Sequence, residues 1–254
     1  MVSAAYGLHC CTVVTALTAQ NPRGVRAVMP ASPEFVREQM DCVFEEYSVA
    51  ALKTGMLGNG EIVRTVAEAL AKKPHVKKVI DPVMVATSGA RLLDESALDL
   101  LRNALLPLAD IATPNIPEAE MLLGESIPAD DAALAEAAEK LAATCRTKIL
   151  LKGGHSRANR AQTREKEREC TQCCDYLFDG TQTIRYNLDW LDNPVSTHGT
   201  GCSLAAALAA ELALGRNLHD AVRGAKNAVW NAIRSGRRVG ADCGVMGIPG
   251  MKHL

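Results

Sequence analysis

Apolar positions along this chain alternate between two periods. Short runs rich in β-branched residues are separated by longer segments whose apolar residues recur every three to four positions. The run "CCTVVTAL" predicts a strand, and "SPEFVREQMDCVFEEY" predicts a helix with Ser32 as N-cap and Pro33 in its first turn. "VAALKTG" predicts the next strand. The helix "GEIVRTVAEALAKK" follows, with Ile62, Val63, Val66, Ala69 and Leu70 on one face. Strand "KKVIDPV", helix "DESALDLLRNALLPL", strand "DIATPN", helices around "PEAEMLLG" and "DDAALAEAAEKLAATC", and strand "KILLKGG" complete the alternation. Apolar strands separated by amphipathic helices pair in parallel and are covered on both faces. The fold class is therefore α/β, a three-layer α/β/α sandwich around a mostly parallel sheet.

After "KILLKGG" the period is lost. "SRANRAQTREKERECTQCC" is charged and aperiodic, which predicts an exposed loop. "DYLFDG" and "TQTIRYNL" predict an antiparallel pair turning through Asp179-Gly180. Two helices follow, from Ser203 to Leu214 and from Leu218 to Ile233. With no linker and no internal repeat, residues 1–254 read as one domain.

Composition narrows the function more than the fold. A formal net charge of -1 offers no electrostatic footprint for nucleic acid or an acidic membrane, and 4% aromatics argues against a base-stacking surface. Nine scattered cysteines, mostly in apolar surroundings, read as buried thiols in a reducing cytoplasm. The apolar start "MVSAAYGLHCCTVVTALTAQN" lacks the basic residues of a signal peptide and is expected to be core. No apolar run is long enough to span a bilayer.

In an open parallel sheet, ligands bind where the loops converge, at the carboxyl ends of the strands. The unusual residues fall there: "TAQN" (18–21), "GMLG" (55–58), "DPVM" (81–84), "TPNIPEAE" (113–120), "KGGH" (152–155) and "HGTGC" (198–202). Glycines before a helix let the backbone approach an anion that the first-turn N–H groups then bind, although a plain tight turn has the same spacing. Lys152, ending an apolar strand, reaches phosphates or snorkels into water. Asn115 and Glu118 either hold hydrated Mg²⁺ or cap a helix, and Asp81 is either a metal carboxylate or a turn residue. Together these features suggest metal-assisted phosphoryl transfer without a P-loop, since "GxxxxGK[ST]" is absent. Cys170, Cys173 and Cys174 lack the second spaced pair of a zinc site.

Six stretches, "TVVTALTAQNPRGV", "KTGMLGNGEIV", "DPVMVATSGARLL", "LLPLADIATPNIPEAEMLLG", "ILLKGGH" and "STHGTGCSLAAALAA", resemble in order and spacing the hydroxymethylpyrimidine/phosphomethylpyrimidine kinases of thiamin biosynthesis, within the ribokinase-like superfamily. The resemblance implies ATP with Mg²⁺ and two successive phosphorylations of an aminopyrimidine alcohol. Carried over by position, it implies that Gln20 bonds the pyrimidine edge and that Met56 and Val83 pack its ring. Asn115, Glu118 and Asp81 would organise metal and phosphate, and Lys152 and Thr200 would contact the ATP phosphates. Gly199, Gly201 and Cys202 would surround the reacting oxygen.

Most sugar kinases of the superfamily carry aspartate where Cys202 stands. A thiol at a helix N-terminus can act as a modest base for the alcohol without permanently repelling a phosphate acceptor. The family's "GSDxSGGAGxxAD"-like loop has no counterpart here, so the chain is expected to start downstream of it, leaving an open strand edge and a weakened pyrimidine pocket. A homodimer acting on a small molecule is expected. The rival readings are a pyridoxal kinase of the same superfamily and a non-catalytic ligand-binding relative.

Overall fold

Strands in the middle of the chain are apolar at successive positions, so both of their faces have to be covered. In the computed structural model, which describes residues 1–21, 24–84, 95–153, 172–240 and 243–249, Lys77–Ile80, Ile111–Ala112 and Ile149–Lys152 are buried on both faces apart from the exposed Lys77 and the half-buried Lys152, whereas the edge strand Ala51–Thr54 is mostly half-buried. The chain runs α1 (Val2–Ala5), β1 (Ala16–Asn21), β2 (Gly24–Pro30), α2 (Pro33–Glu46), β3 (Ala51–Thr54), α3 (Gly60–Ala71), β4 (Lys77–Ile80) and α4 (Glu95–Leu100). It continues through β5 (Ile111–Ala112), α5 (Ile116–Leu123), α6 (Asp131–Cys145), β6 (Ile149–Lys152), β7 (Gln172–Phe178), β8 (Thr183–Asp189), α7 (Thr200–Ala213), α8 (Leu218–Arg234), β9 (Arg237–Arg238) and β10 (Gly244–Val245).

Strands β3 to β8 form one six-stranded sheet in sequence order. β3 to β6 are parallel, and β7 and β8 are antiparallel additions. Alternation divides the side chains between two cores. Ile80, Ala112, Ile149 and Leu151 join α2 through α6, whereas Val79, Ile111, Leu150 and Leu177 join α7 and α8. These are the three layers that the hydrophobic pattern implies.

Local signals account for most helix boundaries. The Ser32 hydroxyl accepts from the Phe35 N–H, and Pro33 fills the first helical position, where a missing N–H costs nothing. The α3 face is buried as its periodicity requires. The helix begun at α4 widens into a π turn (Leu101–Leu105) and then tightens into a 3₁₀ turn (Leu106–Leu108). Pro107 has no N–H to offer the Asn103 carbonyl four residues back. That carbonyl accepts instead from Arg146 at 3.2 Å.

The beginning of the chain departs from expectation. Residues 10–15 form no strand, and Cys10 and Cys11 are exposed rather than in the core. The side-chain amide of Gln39 in α2 takes the part of a ladder partner for Val14. Gln39 Oε1 accepts from the Val14 N–H at 2.9 Å, and Nε2 donates to the Val14 carbonyl at 3.1 Å. β1 and β2 then pair only with each other, as an antiparallel hairpin outside the main sheet.

Cysteine burial also differs from the reading as buried thiols. Among the described residues Cys10, Cys11, Cys42 and Cys202 are exposed, Cys173 and Cys243 are half-buried, and only Cys145 and Cys174 are buried. Of the expected loop between "KILLKGG" and Asp175, residues 172–174 are already strand β7, and 154–171 lie outside the described residues. Among the described residues no helix is long and apolar enough to cross a membrane.

Candidate active site

Where β4, β5 and β6 end, their inward positions on the α7/α8 side change from apolar to polar. Val79, Ile111 and Leu150 give way to Asp81, Thr113 and Lys152. The Lys152 ammonium donates to Asp81 Oδ1 at 2.8 Å, and the same oxygen accepts from the Thr113 hydroxyl at 3.1 Å. Glu118 Oε2 lies 3.9 Å from Lys152 Nζ. Lys152 is held to α5's entry by an isolated parallel bridge to Asn115, its N–H donating to the Pro114 carbonyl at 2.8 Å.

Glu118 and Asn115 build a reciprocal cap at the start of α5. Asn115 Oδ1 accepts from the Glu118 N–H, and Glu118 Oε2 accepts from the Asn115 N–H, each at 2.8 Å. Capping does not exhaust Glu118, which is only 4% exposed. Burial pushes its carboxyl up to about 7, against the opposing pull of Lys152 and of the Asn115 and Met84 N–H groups, with Asp81 adding to the rise. For Lys152, burial favours the neutral amine, yet Asp81 and Glu118 outweigh it and raise the pKa above the ordinary lysine value. The site thus holds a fixed cation beside two desolvated carboxylates.

Helix α7 completes the arrangement. Gly199 is its N-cap, in a left-handed conformation (φ 82°) that favours glycine, and no side chain caps the first turn. The N–H groups of Gly201 and Cys202 have no intrahelical acceptor. At Gly201 a Cβ would lie 3.4 Å from Lys152 Nζ, so the ammonium sits against the helix start. Cys202 is exposed there and close enough to act electrostatically on Lys152. Positive dipole, N–H groups and ammonium converge on one place, which suits an anion that gains charge during reaction.

The hard oxygen donors also fit Mg²⁺, which takes one or two carboxylates together with phosphate oxygens rather than a full protein cage. Among the described residues there is no group of three or more metal-type side chains, so phosphate oxygens would have to complete such a site.

The structure therefore brings together Asp81, Asn115, Glu118, Lys152, Thr200, Gly201 and Cys202, with Gly199 turning the chain into the helix. Met56 and Val83 stand just past the carboxyl ends of the adjacent strands β3 and β4, both half-buried. Gln20 is on the hairpin, exposed and opposite Val25 across a bulge. The hairpin's base is tied to the sheet by Thr15, whose hydroxyl donates to the Met56 carbonyl at 2.7 Å. Residues 85–94, Gly154 and His155 lie outside the described residues, as does Cys170. Cys173 and Cys174 are consecutive in β7 and so point to opposite faces, where they cannot share a metal.

Around Lys152 and Asp81, sequence reasoning assigned no role to the buried polar residues Thr113, Asp175 and Lys226. The last two carried a readable signal. Asp175 interrupts an apolar strand, and Lys226 falls on the face of α8 marked by Val222, Ala225 and Val229.

A family model described as phosphomethylpyrimidine kinase matches residues 1–247. The chain is 39% identical to the hydroxymethylpyrimidine/phosphomethylpyrimidine kinase of Haemophilus influenzae, across 94% of this chain and 85% of that protein. It is 40% identical to the thiamine biosynthesis bifunctional protein ThiED of Geobacter sulfurreducens, but spans only 46% of that longer protein. Among solved structures, an ADP complex of Bacillus subtilis pyridoxal kinase superposes with a TM-score of 0.83 at 28% identity, covering 97% of this chain and 88% of that one. Phosphomethylpyrimidine kinase from Clostridium difficile gives 0.75 at 32% identity, covering 91% and 90%.

Proposed function

The chain belongs to the phosphomethylpyrimidine kinase family and is a kinase, and we propose that it phosphorylates 4-amino-5-hydroxymethyl-2-methylpyrimidine and then the resulting monophosphate. The observation that carries the proposal is the Lys152 ammonium, seated between the Asp81 carboxylate and the first turn of α7. Glu118 and Asp81 would hold Mg²⁺, which would spread the negative charge of the phosphates that ATP supplies. Lys152 and the Gly201 and Cys202 N–H groups stabilise the charge on the transferring group. Asn115 and Thr200 orient the phosphate chain. Cys202, exposed at the same helix start, would act in its thiolate form in the first step, taking the alcohol proton as the alcohol oxygen bonds to the terminal phosphorus of ATP and ADP leaves. The monophosphate acceptor of the second step has no such proton to lose at neutral pH. Gln20, Met56 and Val83 hold the pyrimidine, Gln20 from the hairpin and the other two from the strand ends.

A pyridoxal kinase reading draws on the higher TM-score of the pyridoxal kinase structure. Sequence identity near 40% to pyrimidine kinases and the matching family model favour the pyrimidine. Homodimeric assembly is part of the proposal, supported by the exposed apolar pair Leu17 and Met29, cross-strand partners on the hairpin. A reducing cytoplasmic setting is also part of it, supported by the eight free cysteines among the described residues. The test compares turnover of the pyrimidine alcohol and of pyridoxal with Mg-ATP. The expected result is faster turnover of the pyrimidine and a second phosphorylation, whereas a clear preference for pyridoxal overturns the assignment.

A further inference from the structure

One step from Lys152, a second charged pair is buried with no role in the chemistry above. Asp175 in β7 and Lys226 in α8 are 6% and 7% exposed, and Lys226 Nζ donates to Asp175 Oδ2 at 2.5 Å. Sealing two charges away from water costs several kcal/mol per ion before their attraction repays it, so such a pair is weak evidence for stability alone. Its position is informative. Asp175 is the cross-strand partner of Lys152 in the β6–β7 ladder, and both side chains lie on the α7/α8 side of the sheet. Directly opposed Cβ atoms in such a ladder are about 5 Å apart. Asp175 Oδ1 also accepts from the N–H of Gly153, the residue after Lys152, at 3.0 Å. At Gly153 a Cβ would lie only 2.2 Å from the Cys174 carbonyl oxygen, so glycine alone lets the two strands close up here.

We propose that Asp175 and Lys226 form a positioning pair for Lys152. Asp175 clamps the backbone just beyond Lys152 through the Gly153 N–H. Lys226 occupies the other carboxylate oxygen, so that Asp175 does not draw the Lys152 ammonium away from Asp81 and the start of α7. Helix α8 is thereby coupled to phosphoryl transfer without touching a substrate. The inference rests on the assignment of Lys152 to the phosphates, which Lys152→Met tests separately by losing turnover in a folded protein.

The deciding comparison uses two double variants in which the buried pair carries no charge. Asp175→Asn/Lys226→Met keeps an oxygen able to accept from Gly153, and Asp175→Leu/Lys226→Met does not. Both are assayed with Mg-ATP and the pyrimidine alcohol, well below their melting temperatures and beside circular dichroism. The asparagine double variant is expected to have a kcat at least tenfold above that of the leucine double variant, with KM for the pyrimidine within twofold between them. The single variant Lys226→Met, with an uncompensated Asp175, is expected to lose at least tenfold in kcat, and Asp175→Asn on that background to recover most of it. A pair that merely stabilises the fold shifts melting temperature and leaves these kcat ratios at one. Kcat values within twofold for the two folded double variants overturn the proposal, and so does failure of either to fold, which assigns the pair to stability. Loss of turnover in neither these variants nor Lys152→Met would instead refute the role given to Lys152.

Discussion

Glu118 serves α5 as the acid of a capping box and serves the site as a desolvated carboxylate beside Lys152. Its pKa of about 7 in the folded chain, against 4.5 for the ordinary side chain, sets the sign of its effect on stability. Between those pH values the folded chain keeps a proton that the unfolded chain has released. Stability therefore falls as pH rises through the window, by roughly 3 kcal/mol once Glu118 is charged. Glu118→Gln retains the capping geometry, since glutamine also reaches the N-cap N–H, and removes the charge. The variant is expected to melt higher than the parent at pH 8 and at nearly the same temperature at pH 5. It should bind Mg-ATP weakly, without the gain in affinity that the parent shows as pH rises through about 7. Equal melting differences at both pH values would show that Glu118 does not titrate between them. Thr113 illustrates what a residue-by-residue reading leaves out. Nothing in "ATPN" indicates that its hydroxyl will complete the Asp81 contacts across two strands.

At the scale of elements, helix α7 and strands β6 and β7 set the site geometry between them. The β6–β7 ladder runs through Lys152↔Asp175, and at the next residue, Gly153, a Cβ would meet the Cys174 carbonyl oxygen at 2.2 Å. Gly153→Ala forces the Cys174 carbonyl outward, an overpacking that should cost about 1–3 kcal/mol. Because the displaced segment adjoins Lys152, kcat should fall at least tenfold in the folded variant. Thermal melts combined with steady-state kinetics check both, and a normal kcat in a destabilised protein would separate packing from positioning. Most of the elements were legible in advance, because helix caps and apolar periods act within a turn or two of the chain. The strand expected at residues 10–17 was not. β-Branched residues favour extended backbone, but propensity does not supply a ladder partner, and Gln39, twenty-five residues on from Val14, satisfies that backbone instead.

On the scale of the whole molecule, the hairpin stands apart from the two cores and presents Leu17 and Met29, 56% and 62% exposed, on one surface. Burial of that pair against a second copy is the expected arrangement. Light scattering should give the mass of two chains for the parent and of one for Leu17→Asp/Met29→Asp, and a monomeric parent at tens of micromolar would refute it. By itself the sequence determined the α/β class, the two-faced sheet and the glycine turn into α7, because each follows from the period or the conformational freedom of neighbouring residues. Its motifs also marked Lys152, Asn115, Glu118 and Cys202. Only the tertiary structure decided that Lys152 reaches Asp81 across the strand ends, that Asp175 and Lys226 pair beneath it, and that the first long hairpin leaves the sheet. Those contacts join residues up to seventy-one positions apart. Their strength depends on shared burial, which no local stretch of sequence encodes.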